Sequence, residues 1–186
     1  VVSVGDMEQD EYPIEEVNYL TIGGGVGSFI WVDNLVIRGV PQTDIASVGM
    51  EYSPYGRIKR LLEQSQITAK DNLRSDSGST PDNIWGWPGY AVRDILTDVR
   101  SGNLRHAIKV AGKIFSEPLL TDFYTPNAGR VFESMDREAH RIVWSEMARI
   151  GRVCAIRTTS DGRYVAAYAT RIGRDYKYRY IIGQYL

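Results

Sequence analysis

Residues 17–28 read Val-Asn-Tyr-Leu-Thr-Ile-Gly-Gly-Gly-Val-Gly-Ser and form the most informative stretch of this 186-residue chain. The first six residues are rich in β-branched and aromatic types, which favour a strand. The next six contain the pattern Gly-x-Gly-x-x-Ser, formed by Gly23, Gly25 and Ser28. Residues 28–38 then carry apolar side chains at helical spacing. The stretch therefore predicts a strand, a glycine turn and a helix in direct succession.

A glycine turn of this kind has a known chemical use between a strand and a helix. In dinucleotide-binding proteins the first glycine allows the tight turn, and the second lets the backbone approach a pyrophosphate. The third position packs the helix against the strand, and Ser28 is small enough for it. The helix start offers N–H groups and a positive dipole end to phosphates. An ordinary glycine-rich turn would show the same letters, but this context favours pyrophosphate binding by Gly23, Gly25, Gly27 and Ser28.

Residues 44–50 predict a second strand, and the end of that strand is where an acidic residue would bind the ribose. Glu51 is the nearest acid, since it follows Ser28 by 51 − 28 = 23 residues. The alternative is a solvated surface glutamate. Arg57 lies just after the strand and is a candidate for contact with a phosphate or a flavin carbonyl. Its alternative is an exposed face of the next helix, which carries two more basic residues.

The remaining chain divides by composition into three parts. Residues 1–16 are acidic and predict a solvated leader, which leaves 17–186 as one domain. Within that domain, residues 68–150 predict a loop followed by a helical insertion, and 130–150 carry the clearest apolar stripe of a helix. Residues 151–186 predict three antiparallel strands joined by turns at Ser-Asp-Gly and Gly-Arg-Asp.

Two further groups of residues have weak functional signals. Trp85 and Trp87 lie in the Pro- and Gly-rich loop over 69–89, and such residues either stack on a ligand or anchor the loop to the core. His106 and His140 lie among charged neighbours and are expected on the surface. The sequence thus predicts no catalytic base.

The order of these elements resembles the FAD-binding domain of flavoproteins with two dinucleotide-binding domains, such as glutathione-reductase-like and flavin-monooxygenase-like enzymes. The resemblance covers most of residues 17–186, and only the glycine loop is a specific motif. It implies a Rossmann-like α/β fold with a parallel β-α-β core, a helical insertion and a C-terminal meander. In that family a strand ending in Ala-Thr-Gly follows the meander. Residues 178–186 look like the approach to that strand, so the domain is expected to be incomplete at its C-terminus.

The resemblance also implies a function. FAD would be the cofactor of an oxidoreductase, and NAD(P)H would bind a second domain outside these residues. Cys154 stands alone, which argues against a disulfide reductase. The alternative is a non-catalytic Rossmann-like subunit that serves as a binding or assembly partner. A single-domain NAD(P)-dependent dehydrogenase is disfavoured, because it predicts alternating strands and helices to the end.

Composition excludes several other classes. Lys and Arg number 22 against 23 Asp and Glu, which gives no electrostatic basis for a nucleic-acid binder. The apolar runs are short, at most six residues (164–169), whereas a membrane helix needs roughly 20. One cysteine forms neither an internal disulfide nor a cysteine metal site. We therefore expect a cytoplasmic protein without a metal.

Overall fold

A computed structural model describes residues 1–71, 91–120 and 127–186 of the chain. The expectations for Trp85 and Trp87 lie outside these residues. The described residues form a mixed α/β fold around one six-stranded sheet, which confirms the predicted class at that level.

The sheet combines parallel and antiparallel strands. The strands are β1 (Ile14–Ile22), β2 (Ile45–Gly49), β3 (Ala148–Ile150), β4 (Arg152–Thr158), β5 (Tyr164–Ile172) and β6 (Asp175–Tyr185). Their order in the sheet is β3-β2-β1-β6-β5-β4. Strands β3, β2, β1 and β6 run parallel to one another, whereas β5 is antiparallel to both β6 and β4.

Seven helices occur in the described residues, and some of them lie between strands. A short 3-10 turn, Gln42–Asp44, precedes β2. Within the described residues, no helix has both the length and the hydropathy that a membrane crossing requires. The helices are α1 (Val4–Glu8), α2 (Val26–Ile37), α3 (Gly56–Gln64), α4 (Ala91–Arg100), α5 (Leu104–Leu120), α6 (Ala128–Arg141) and α7 (Trp144–Met147).

The chain divides into two compact units. The first unit, Val1–Arg60 with Ala139–Leu186, holds the whole sheet, and the second unit is Leu61–Glu138. Buried apolar residues from strands distant in sequence form the core of the first unit. One cluster consists of Leu20, Ala46, Val48, Ala166, Tyr168 and Ile181. Burying a Leu, Val or Ile side chain of this cluster contributes roughly 1.5–3 kcal/mol.

The single helix predicted over residues 130–150 is wrong. Helix α6 ends at Arg141, and Val143 then adopts a left-handed conformation with φ of 55°. After the short α7, Ala148–Ile150 forms β3, which pairs in parallel with the end of β2. The apolar stripe continues past Arg141 because residues such as Ile142 and Met147 are buried, not because the helix continues. Pairing with β2 overrides the helical spacing in the last three residues.

The N-terminal residues also differ from a solvated leader. Helix α1 buries Met7 against Val165 and Ile182, and β1 begins at Ile14, three residues before the predicted start. A backbone bridge joins Val2 to Thr159. The segment is therefore attached to the sheet by apolar contacts and by the backbone bridge, although most of its acids are exposed.

Three antiparallel strands occupy residues 152–185, in the region where the sequence predicts them. They do not form a separate layer, because β6 also pairs in parallel with β1, for example at Val17 and Gly183. This position in the middle of the sheet explains why Ile181, Ile182 and Gly183 are buried. The sequence analysis did not predict the pairing of β6 with β1.

Candidate functional site

The glycine loop follows β1, the strand that has β2 on one side and β6 on the other. From β1 the chain passes through α2 to β2 on one side, while β6 lies beside β1 on the other side. All three strands are parallel, so their carboxyl ends share one edge. In open α/β sheets, the crevice outside the carboxyl ends at such a switch point is where ligands bind. Residues 23–25 directly follow β1 at that edge.

Gly23 makes the turn out of β1. Its φ is +112°, a backbone conformation that side chains strongly disfavour. The Gly23 N–H donates to the carbonyl of Val48 at 2.7 Å, and the Ser47 hydroxyl donates to the Gly23 carbonyl at 3.1 Å. The turn is thus fixed to β2 by two hydrogen bonds, and glycine is required by the backbone itself.

Gly25 is different, because the protein itself does not require a glycine there. It is the N-cap of α2, and its φ of −91° and ψ of −172° suit any residue. A Cβ atom added to Gly25 would meet no atom within 4 Å, and the same is true of Gly27. The first N–H groups of a helix lack partners within the helix. The start of α2 therefore combines open space with backbone donors, which together suit an anion.

Ser28 faces the strand that precedes the loop. The hydroxyl of Thr21 in β1 donates to the Ser28 Oγ at 3.1 Å. A small side chain at this position lets α2 lie close to β1, which is what the third position of the pattern requires. Gly23, Gly25 and Ser28 thus have three different local environments, each matching one requirement of a dinucleotide loop.

The sequence analysis missed Gly49, the last residue of β2. A Cβ atom on Gly49 would clash with the backbone nitrogen of Gly24 and lie 2.5 Å from its Cα. A Cβ on Gly24 would in turn lie 3.1 Å from the Glu51 carbonyl oxygen. The loop and the end of β2 are thus in backbone contact. A glycine at the end of the second strand, 49 − 23 = 26 residues after the first loop glycine, was the available signal.

Glu51 lies beside the loop, as expected for a ribose ligand, but its carboxylate is already engaged. It pairs with the guanidinium of Arg60 from α3. Gly56 leaves room for this pair, since a Cβ there would lie 3.2 Å from Glu51 Oε2. Arg57 is exposed in the first turn of α3, and it has no ion pair within the described part of the chain. The structure therefore places Glu51 against the glycine loop, whereas the Arg57 side chain is exposed to solvent.

Two large side chains beside Glu51 are unusually exposed. Met50 is 72% and Tyr52 65% exposed, although both follow a fully buried strand. The Trp144 Nε1–H donates to the Tyr52 carbonyl at 3.1 Å. The Trp144 ring also packs edge-on against Phe29 of α2, with 5.5 Å between centroids. The segment after β2 is thus tied through Trp144 to the helix that begins at the glycine loop.

Within residues 1–71, 91–120 and 127–186, no group of three or more His, Cys, Asp or Glu side chains is placed to hold a metal ion. His140 is exposed, as expected, whereas His106 contacts a buried carboxylate that no sequence pattern indicated. In comparisons with protein-family models, curated proteins and solved structures, no match to this chain was found.

Proposed function

We propose that this chain is the Rossmann-like FAD-binding part of a flavin-dependent oxidoreductase, in which a further domain binds NAD(P)H. The observation that carries the proposal is the open space at Gly25. No atom of the described residues excludes a side chain at this N-cap position, yet the residue is glycine. Close approach of a ligand to the backbone would account for the glycine. The position of the loop at the carboxyl edge of the sheet supports the same function.

The pyrophosphate would bind at the start of α2. Gly23 sets the turn, Gly25 and Gly27 leave the backbone accessible, and Ser28 holds the helix near β1. Backbone N–H groups and the helix dipole supply the positive potential. This is consistent with a chain whose net charge is only −1.

The adenosine half would lie over the end of β2. Glu51 is placed beside the loop to accept hydrogen bonds from the ribose hydroxyls, and Arg60 would orient its carboxylate. Met50 and Tyr52 are exposed on either side of Glu51 and offer apolar surface to the adenine ring. A nucleotide bound here would bury part of both side chains.

When bound, FAD supplies the electron-transfer chemistry, and the protein supplies binding and orientation. The decisive experiment is a titration of the purified chain with FAD, followed by flavin fluorescence and by dialysis. Retention of about one flavin per chain supports the proposal. A chain that folds cooperatively but does not bind FAD contradicts it.

One observation favours a second candidate function, that of a non-catalytic binding or assembly subunit. The sequence pattern of β6 predicted a half-buried strand, but Tyr176 is 57% exposed and Tyr178 is also exposed. Exposed tyrosines are common in protein interfaces. A chain without flavin that co-purifies stoichiometrically with another protein, and loses that protein in Tyr176→Ser with Tyr178→Ser, would support this function instead.

A further inference from the structure

A buried carboxylate connects three helices in the unit Leu61–Glu138. Asp98 lies in the last turn of α4, His106 in the first turn of α5, and Arg130 in the first turn of α6. Asp98 is only 5% exposed. Its Oδ2 lies 2.7 Å from the His106 Nδ1 and accepts a hydrogen bond from the Arg130 Nη2 at 2.5 Å. Two donors therefore converge on one carboxylate oxygen.

The turn between α4 and α5 fixes the geometry of this carboxylate. Gly102 has a φ of +80°, which ends α4 with a left-handed residue. The Asn103 N–H donates to the Asp98 carbonyl at 2.8 Å, and the Ser101 hydroxyl donates to it at 3.1 Å. The backbone of Asp98 is thus held on one side while its side chain points to His106.

The ionisation state of Asp98 determines which ring nitrogen of His106 carries the proton. Burial works to raise the pKa of Asp98, but the hydrogen bonds from Arg130 and then His106 outweigh it, and the pKa lies below its usual range. Asp98 is therefore a carboxylate and can only accept hydrogen bonds. His106 must donate through Nδ1–H, which leaves the lone pair of a neutral ring on Nε2. The His106 side chain is 36% exposed, so the ring is accessible to solvent.

We propose that Asp98 and His106 form an acid–base centre that the proposed nucleotide site does not use. The Nε2 of His106 takes a proton from a hydroxyl or amine group of a substrate, and the ring becomes an imidazolium. Asp98 is a positioning residue, because it fixes the tautomer and its charge stabilises the imidazolium. The proton then passes from the exposed ring to water. Arg130 already compensates the buried carboxylate, so stability alone does not call for His106.

The chain is well suited to a spectroscopic test because it contains only two histidines, His106 and His140. Nitrogen-15 NMR of histidine-labelled protein distinguishes the two ring tautomers, and a His140→Gln variant assigns the signals. We expect neutral His106 to be the Nδ1–H tautomer, and Asp98→Asn to lower its population. A predominantly Nε2–H tautomer, or one that does not respond to Asp98→Asn, would overturn the proposal.

Reactivity is tested with p-nitrophenyl acetate. The Nε2 lone pair attacks the ester carbonyl, p-nitrophenolate leaves, and water then hydrolyses the acetyl-imidazole to acetate and regenerates the ring. We expect His106→Gln to lower the rate above buffer by about tenfold or more, Asp98→Asn to lower it partly, and His140→Gln to leave it unchanged. Equal rates in wild type and His106→Gln would overturn the proposal, as would an equal loss in His140→Gln. Circular dichroism checks that each variant folds. If Asp98→Asn does not fold, the tautomer of the wild-type protein and the rates of the two histidine variants still test the proposal.

Discussion

Gly49 and Gly24 are packed so closely that a Cβ atom on Gly49 would lie 2.5 Å from the Cα of Gly24. Gly25, one residue further on, has no atom within 4 Å of the corresponding position. Neighbouring glycines of one loop thus have opposite reasons for being glycine. Packing requires glycine at positions 24 and 49, whereas no nearby atom in the described part of the chain requires glycine at position 25. This distinction separates the effects of substitution on folding from those on ligand binding.

Gly49→Ala is expected to destabilise the protein. The new methyl group would meet backbone atoms, which cannot rotate away, and overpacking of this kind costs about 1–3 kcal/mol. The measurement is the midpoint of thermal unfolding. Gly112→Ala is the matched control, since it lies in α5 with open space around it and replaces a poor helix former. Equal midpoints for Gly49→Ala and the control would contradict the packing described for the loop.

Arg141→Met is also expected to lower stability. The guanidinium of Arg141, at the end of α6, pairs with Asp33, which is fully buried in α2. Removal of one partner of a buried ion pair typically costs about 3–5 kcal/mol, because the buried charge loses its compensating partner. Since Arg141 is partly exposed, we expect the lower end of that range, measured by urea unfolding. A loss no larger than that of Arg38→Met, which replaces an exposed arginine of the same unit, would contradict the role of the pair.

The turn between β4 and β5 predicts a dependence of stability on acid. Hydrogen bonds from Arg163 and then Thr159 lower the pKa of Asp161 from 3.8 to about 2. Between these values the unfolded chain binds more protons, so this contribution to stability is present above pH 3.8 and is lost as the pH falls through about 2. Asp161→Asn should therefore reduce the midpoint of thermal unfolding at pH 5 and reduce it much less at pH 2. An equal reduction at both pH values would show that the ionised carboxylate is not responsible.

Glu51→Gln should weaken FAD binding without unfolding the chain. Under the proposed function the carboxylate binds ribose hydroxyls, and hydrogen bonds to charged groups contribute roughly 1.5–3 kcal/mol. The expected rise in Kd is therefore about 10- to 100-fold. Glu63→Gln, on the same helix as Arg60, serves as the control and should leave the Kd unchanged. If both variants bind FAD like the wild type, Glu51 is a surface glutamate and the ribose is bound elsewhere.

Local signals in the sequence were sufficient for the unit β1–α2–β2. The glycine pattern, the β-branched residues before it and the apolar spacing after it all lie within about 30 residues. The structure accordingly forms α2 over Val26–Ile37 and β2 over Ile45–Gly49. These elements fix the position of the loop at the edge of the sheet.

What could not be predicted depends on contacts between distant residues. Ala148–Ile150 is a strand only because it pairs with β2, about 100 residues earlier in the chain. The contact between Gly49 and Gly24 needs the register of β1 and β2, and the sequence shows only two glycines. The burial of Asp98 beside His106 likewise requires the turn at Gly102. In each case the residues have an ordinary explanation in the local sequence, and their structural role depends on contacts with residues distant in the chain.

The most direct test of the central claim compares Gly25→Val with the wild-type chain in two measurements, thermal unfolding and FAD titration. The structure leaves open space for a Cβ atom at Gly25 and gives the residue an extended backbone, so stability should fall only by the cost of a poorer N-cap residue, about 1 kcal/mol or less. The valine side chain would occupy the approach to the start of α2, so FAD binding should be lost. Unchanged FAD affinity in a folded Gly25→Val protein would contradict the proposal that the glycine loop binds the pyrophosphate.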